Sequence, residues 1–167
     1  NSHAILGHLS SNSEGPVEQD QINSWKIQIE LLQKILEGFN GKIFFEFSVP
    51  RMGRRIDVVL VIASVVFVLE FKVGASNFGT YACDQVWDYA LDLKNFHETS
   101  HHATIAPILI STDANSLPFT LATTPQNDHL LFFFLFNSDK IRLAIQRILN
   151  LSETDELIPD QWECGRY

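Results

Sequence analysis

Two charged residues interrupt an apolar run. In Val65-Val66-Phe67-Val68-Leu69-Glu70-Phe71-Lys72-Val73 a carboxylate and an ammonium stand two positions apart. Side chains two apart on a strand share a face, so Glu70 and Lys72 point the same way. Burying them is costly unless each is paired or coordinates a metal. The preceding β-branched run, Ile56 to Ala63, carries Asp57 near its start. Almost nothing separates the two runs, which predicts a hairpin. If its turn centres on Ala63-Ser64, Asp57 faces Glu70, with Cβ atoms roughly 4.5–5.5 Å apart, close enough for two carboxylates to share one cation. If the earlier turn centres on Arg51-Met52, Glu46 continues the row on a third strand. Ala-Ser is a poor two-residue hairpin turn, so both registers are conditional.

An oxygen-only site of two carboxylates and waters suits Mg²⁺ or Mn²⁺ rather than zinc. A neighbouring Lys can orient or deprotonate a water, or neutralise charge developing in a transition state. Such parts would serve metal-assisted phosphodiester hydrolysis, with Lys72, Asp57, Glu70 and Glu46 as the catalytic candidates and Asp57 and Glu70 as the metal ligands. The plainer alternative is a strand-end ion pair, with Glu46 paired to a nearby Arg. Arg51, Arg54 and Arg55 lie within five positions at the mouth of the hairpin and could hold phosphates; otherwise they are an ordinary charged turn.

The elements that must position these residues follow from periodicity. Residues 1–17 mix Asn, Ser, Gly and Pro and read as a flexible arm. Ile22, Trp25, Ile29, Leu32 and Leu36 recur at helical spacing within Glu18 to Glu37, where Glu30 falls on the polar arc near Lys34. Strands are expected at Lys42 to Val49, Ile56 to Ala63 and Val65 to Val73. A helix from Tyr81 to about His97 follows, with Ala82, Val86, Ala90 and Leu93 on one face. Trp87 reads as a packing residue and Asp92 as a surface or rim charge. Ile105 to Ser111 and Leu130 to Phe136 read as strands, and Asn137-Ser138-Asp139 starts a last helix to about Leu149. The long crossover makes the strand at Ile105 parallel to that at Val65. The class is therefore α/β, a mixed sheet (antiparallel meander plus parallel strand) flanked by helices, in the order α-β-β-β-α-β-β-α. The domain is placed at 18–150, with an acidic tail at 151–167.

Composition sets the outer limits. A chain of 167 residues allows roughly one domain. Its 46% hydrophobic and 19% charged content is that of an ordered protein. Net charge is -8, which argues against a broadly basic surface for DNA or anionic membrane. Five acids, Glu153, Asp155, Glu156, Asp160 and Glu163, belong to the tail segment, so any polyanion site would be local. Cys83 and Cys164 have no metal-type spacing, no apolar run reaches the roughly 20 residues of a membrane span, and no signal-peptide pattern is visible; a cytoplasmic location is expected. The only methionine is Met52, so residue 1 is not an initiator, and the chain is expected to have been processed, tagged or excised. His97-Glu98-Thr99-Ser100-His101 fits the zinc-protease spacing, but it falls where a helix runs out, and a zinc site is not expected.

Asp57, twelve residues, then Glu70-Phe71-Lys72 resembles the PD-(D/E)XK nuclease superfamily, the restriction-endonuclease-like fold. Gln85-Val86-Trp87-Asp88-Tyr89 is similar to the Gln-x-x-x-Tyr element of its RecB-type members, and the predicted element order matches the superfamily core. More narrowly, Pro50 to Asp57, Leu69 to Ala75 and Asp84 to Leu93 resemble the N-terminal domain of an uncharacterised bacterial family in which a Schlafen-like helicase/ATPase region follows. The resemblance covers about residues 20–167. It implies a restriction-endonuclease-like core and a cofactor of Mg²⁺ (or Mn²⁺) held by Asp57 and Glu70 with the carbonyl of Phe71. It also implies that Lys72 handles the attacking water, and that Gln85 and Tyr89 support the site or contact nucleic acid. The implied substrate is DNA more than RNA, and the implied partner is a C-terminal ATPase domain absent from this chain. One departure is Ile56 where the motif has Pro. The alternative is a catalytically silent module that binds nucleic acid or the adjacent ATPase.

Overall fold

The structure, a computed structural model, describes residues 2–11, 18–115, 117–126 and 128–167. The chain divides into two compact units, Asn1–Gly38 and Phe39–Tyr167. The first holds α1 (Ser2–Ser11) and α2 (Gln19–Ile35). In α2 Trp25, Ile29 and Leu32 of the expected stripe are buried, Ile22 and Leu36 are half-buried with Ile35 buried in place of Leu36, and Glu30 is exposed. Within the segment expected to be an arm, Ser2–Ser11 is helical and contributes no buried residue, while 12–17 lies outside the described residues.

The second unit carries β1 (Lys42–Val49), β2 (Arg54–Ile62), β3 (Val65–Lys72), α3 (Thr80–Phe96), β4 (Thr104–Ser111), β5 (Phe134–Phe136), α4 (Ile141–Leu151) and α5 (Pro159–Glu163). Its five-stranded sheet runs in the order β1-β2-β3-β4-β5. The first three strands form the antiparallel meander, and β4 and β5 add in parallel. Ile62 pairs with Val65 and Phe44 with Val59, the registers that turns at Ala63-Ser64 and Arg51-Met52 require. α3 lies on β3 and β4. Its Ala82, Val86, Tyr89, Ala90 and Leu93 share a cluster with Val59, Val61, Val66, Val68, Ile105 and Leu109. The alternate residues Val58, Leu60, Phe67, Leu69, Ile108 and Ile110 are equally buried, so both sheet faces are covered, which explains the nearly continuous apolar runs.

Three local features depart from the sequence reading. Ala63 adopts φ 50°, the left-handed region that a non-glycine residue occupies at a cost. Distant residues hold that turn: Leu157 N donates to Ala63 O, and Thr154 Oγ1 donates to Ser64 O. The run from Leu130 to Phe136 is not one strand. Leu130 and Leu131 make isolated bridges, Phe132 and Phe133 are exposed, and pairing with β4 resumes only at Phe134. Exposed Phe132 stacks on Trp87 at 5.9 Å.

The third departure is residues 151–167, which fold back as part of the second unit. Trp162 is buried, packs on Phe44 and Phe47, and donates through Nε1 to Ser100 Oγ. Lys42 bridges Asp160 and Glu163, so two of the tail acids have a partner within the fold. α3 stops at Phe96 and a 3-10 turn, Glu98–Ser100, follows, so His97 and His101 are not on one helix. His97 is a core residue, wedged between Phe47, Trp162 and Tyr167, with Nδ1 on Ser100 Oγ. A Cβ at Gly165 would collide with Thr99 Oγ1 and the His97 ring, so the chain can pass there only as glycine.

Burial holds the pKa of His97 down at about 4, and His101 adds to the shift. The imidazole is therefore neutral in the fold and protonates first in the unfolded chain. Stability is complete above pH 6.5 and falls by up to about 1.4 kcal/mol per pH unit as the pH drops towards 4. Urea unfolding of the native protein at pH 7 and pH 5 should show this loss, and His97→Gln should flatten it. An equal loss in His97→Gln would assign the acid sensitivity to other groups.

Candidate metal centre

Where β1, β2 and β3 meet, the ladder opens around Asp57. Pairing of β2 with β3 ends at Val58 opposite Leu69, and the β1–β2 register steps over Glu46 and Asp57. Asp57 Oδ2 instead accepts the backbone N–H of Phe71 at 2.8 Å. Glu46 sits in β1 with φ 51°, a local strain in an otherwise regular strand. Its charge acts on both Asp57 and Glu70 and raises them further.

Glu70 is buried, as its place in an apolar strand requires. Its Oε1 accepts from Lys72 Nζ at 2.8 Å, while Oε2 has no hydrogen-bond partner among the described residues. Burial, followed by repulsion from Glu70, pushes Asp57 up to about 7, and burial raises Glu70 as well despite the Lys72 ammonium. Two acids that resist ionisation side by side, one with an idle buried oxygen, form a site whose electrostatics improve when a cation arrives.

α3 supports the cluster from the side. Gln85 Oε1 lies 3.4 Å from Lys72 Nζ, and Gln85 Nε2 donates to Tyr89 Oη at 3.0 Å. Tyr89 is buried, and its hydroxyl donates to Arg55 O at 2.9 Å. Gln85 and Tyr89 thus link Lys72 to the start of β2, one helical turn apart as their spacing suggested.

The three arginines do not behave alike. All three are exposed, and Arg54 and Arg55 stand at the start of β2. Arg51 lies 3.6 Å from buried Asp92, and its guanidinium stacks 3.5 Å over the Phe96 ring. Asp92 is therefore not a surface charge: it anchors the β1–β2 turn to α3, and Arg51 spends its charge there. Asp92 lies two helical turns beyond Gln85 and nearly in line with Tyr89, a periodicity that could have marked it as inward-facing.

Among the described residues no group of three or more His, Cys, Asp or Glu side chains is arranged to hold a metal ion. Asp57 and Glu70 nonetheless fit one: both are hard oxygen donors, and Glu70 Oε2 has no competing partner. No helix among the described residues is long and apolar enough to cross a membrane. No family model matches the sequence, and no curated protein matches it.

Proposed function

We propose that this chain carries a PD-(D/E)XK-type nuclease domain with a restriction-endonuclease-like core, hydrolysing phosphodiesters of DNA, or of RNA, with Mg²⁺ or Mn²⁺. The observation that carries this reading is the buried Glu70 carboxylate, with one oxygen on Lys72 and the other idle, beside an Asp57 raised to about 7. Asp92 Oδ1, beside Arg51, is also unpaired, so the idle oxygen distinguishes Glu70 only together with the raised Asp57 carboxyl next to it. The cation would be held by Asp57 and Glu70, and when bound it supplies Lewis-acid polarisation of the phosphate. Lys72 orients the attacking water and offsets charge developing on the phosphate. Glu46 adds negative potential, which favours a divalent over a monovalent cation. Arg54 and Arg55 are suited to flanking phosphates, whereas Arg51, also exposed, is drawn to Asp92 and positions the turn. The partner of such a domain would be a helicase-like ATPase, and its location the cytoplasm.

The test is cleavage of labelled single- and double-stranded DNA and of RNA with 5 mM (about a saturating level) Mg²⁺ or Mn²⁺, with EDTA as control. Cleavage that EDTA abolishes supports the reading; cleavage that survives EDTA removes it. The silent-module alternative has its own support in the net charge of -8, since affinity for nucleic acid scales with phosphate contacts. It predicts nucleic-acid or ATPase binding without metal uptake, which calorimetry with Mn²⁺ decides.

A further inference from the structure

We propose that Ser111 is a positioning residue for Lys72, an inference that rests on the nuclease reading. Ser111 ends β4 directly opposite Lys72 in the parallel register, as Leu109 stands opposite Glu70. Paired residues of a parallel ladder point to one face, so the Ser111 side chain shares the face of Glu70 and Lys72. The residue is completely buried, and its Oγ has no hydrogen-bond partner among the described residues. A buried hydroxyl left unpaired is unfavourable where Ala would pack without loss. Like the idle oxygen of Glu70, it points to a polar contact formed in another state of the site.

Lys72 supplies the other half. Its ammonium carries three N–H donors. Two have acceptors, Glu70 Oε1 at 2.8 Å and Gln85 Oε1 at a long 3.4 Å. The two strand ends are locked together. Thr112 N donates to Lys72 O, Gly74 N to Thr112 Oγ1, and Asp113 N to Ala75 O. Adjacent strands lie about 4.8 Å apart, well within the reach of a lysine stem. On this proposal Lys72 changes its side-chain torsions and Ser111 Oγ accepts one of its N–H groups. Once Glu70 turns its oxygens to a cation, Ser111 and Gln85 keep the ammonium over the site. Ser111 touches no reacting atom in this role.

The experiment compares the full chain with Ser111→Ala, following the Lys72 side-chain ammonium by ¹⁵N NMR during Mg²⁺ titration. The signal is assigned by its loss in Lys72→Ala. In wild type, saturation with Mg²⁺ should shift and sharpen the ammonium resonance; in Ser111→Ala it should broaden beyond detection. Mg²⁺ affinity should stay within about twofold, because no ligand is lost. The metal-free melting temperature of the variant should be unchanged or higher, and its cleavage rate should fall about tenfold or more. A lower melting temperature, or an ammonium signal identical to wild type with Mg²⁺ bound, overturns the role of Ser111 alone. Absence of Mg²⁺ binding by wild type overturns the nuclease reading, and this inference with it.

Discussion

Lys72→Ala is expected to slow single-turnover phosphodiester cleavage by about 10²–10⁴-fold, the range for losing a positioned proton-transfer group or a charge stabiliser. At a pH where Glu70 is ionised the divalent affinity should hold or rise, because one positive charge leaves its neighbourhood. Those two readouts move in opposite directions only if Lys72 acts on the chemistry. A lysine that merely neutralised Glu70 would alter stability and metal uptake together. The fold should survive the substitution, since burial already favours the protonated form of Glu70, which can take a proton when its ammonium is removed. Cleavage within tenfold of wild type would remove Lys72 from the mechanism, provided the variant melts as a single folded species.

Asp57→Asn is expected to weaken Mn²⁺ binding by at least about 10²-fold, more than loss of an outer-shell partner costs. The same substitution should stabilise the metal-free protein at pH 8 by roughly 2 kcal/mol. Both effects have one cause. The Asp57 carboxylate is pushed up to about 7 by burial and then by Glu70, so its charged form is held at a cost without a cation. Asn keeps an acceptor for the Phe71 N–H and removes the charge. The sign follows from linkage. The folded state keeps a proton that the unfolded chain releases between about pH 4 and pH 7. Wild-type stability therefore declines as pH rises through that window, and the gain from Asn should be clearly smaller at pH 5 than at pH 8 and vanish only at about pH 4. Cation binding should correspondingly weaken about tenfold per pH unit below 7. Chemical unfolding at pH 5 and pH 8, with calorimetry at both, measures all of this. Equal Mn²⁺ affinity in Asp57→Asn would show that the metal, if bound, lies elsewhere.

The register of the meander was legible because its runs are apolar on both faces and separated by very short turns. A one-residue slip would have put Asp57, Glu46 and Glu70 on different faces. The lapse of pairing at Asp57 was not legible, since it depends on a side chain taking the Phe71 N–H in place of the strand ladder. Gln85 and Tyr89 could be set on one helical face by spacing, but their direction depended on where α3 crosses β3 and β4. Arg51 illustrates the limit of local reading. Its charge and position matched those of Arg54 and Arg55, yet a buried carboxylate 41 positions later claims it.

By itself the sequence determined which residues are charged within apolar strands, their alternation, and hence the face that Glu70 and Lys72 share. Strand periodicity is a local property that survives any tertiary arrangement. Tertiary structure alone decided which polar atoms stay unpaired. Glu70 Oε2 and Ser111 Oγ are idle because of what the other elements fail to offer them. It also decided that Ala63-Ser64 can turn, because Leu157 and Thr154 reach across to hold it. The acidic segment from Glu153 to Glu163 looked like a solvated tail because its charges are local. Its one buried anchor, Trp162, has partners in Phe44, Phe47 and Ser100 that only the folded chain brings near.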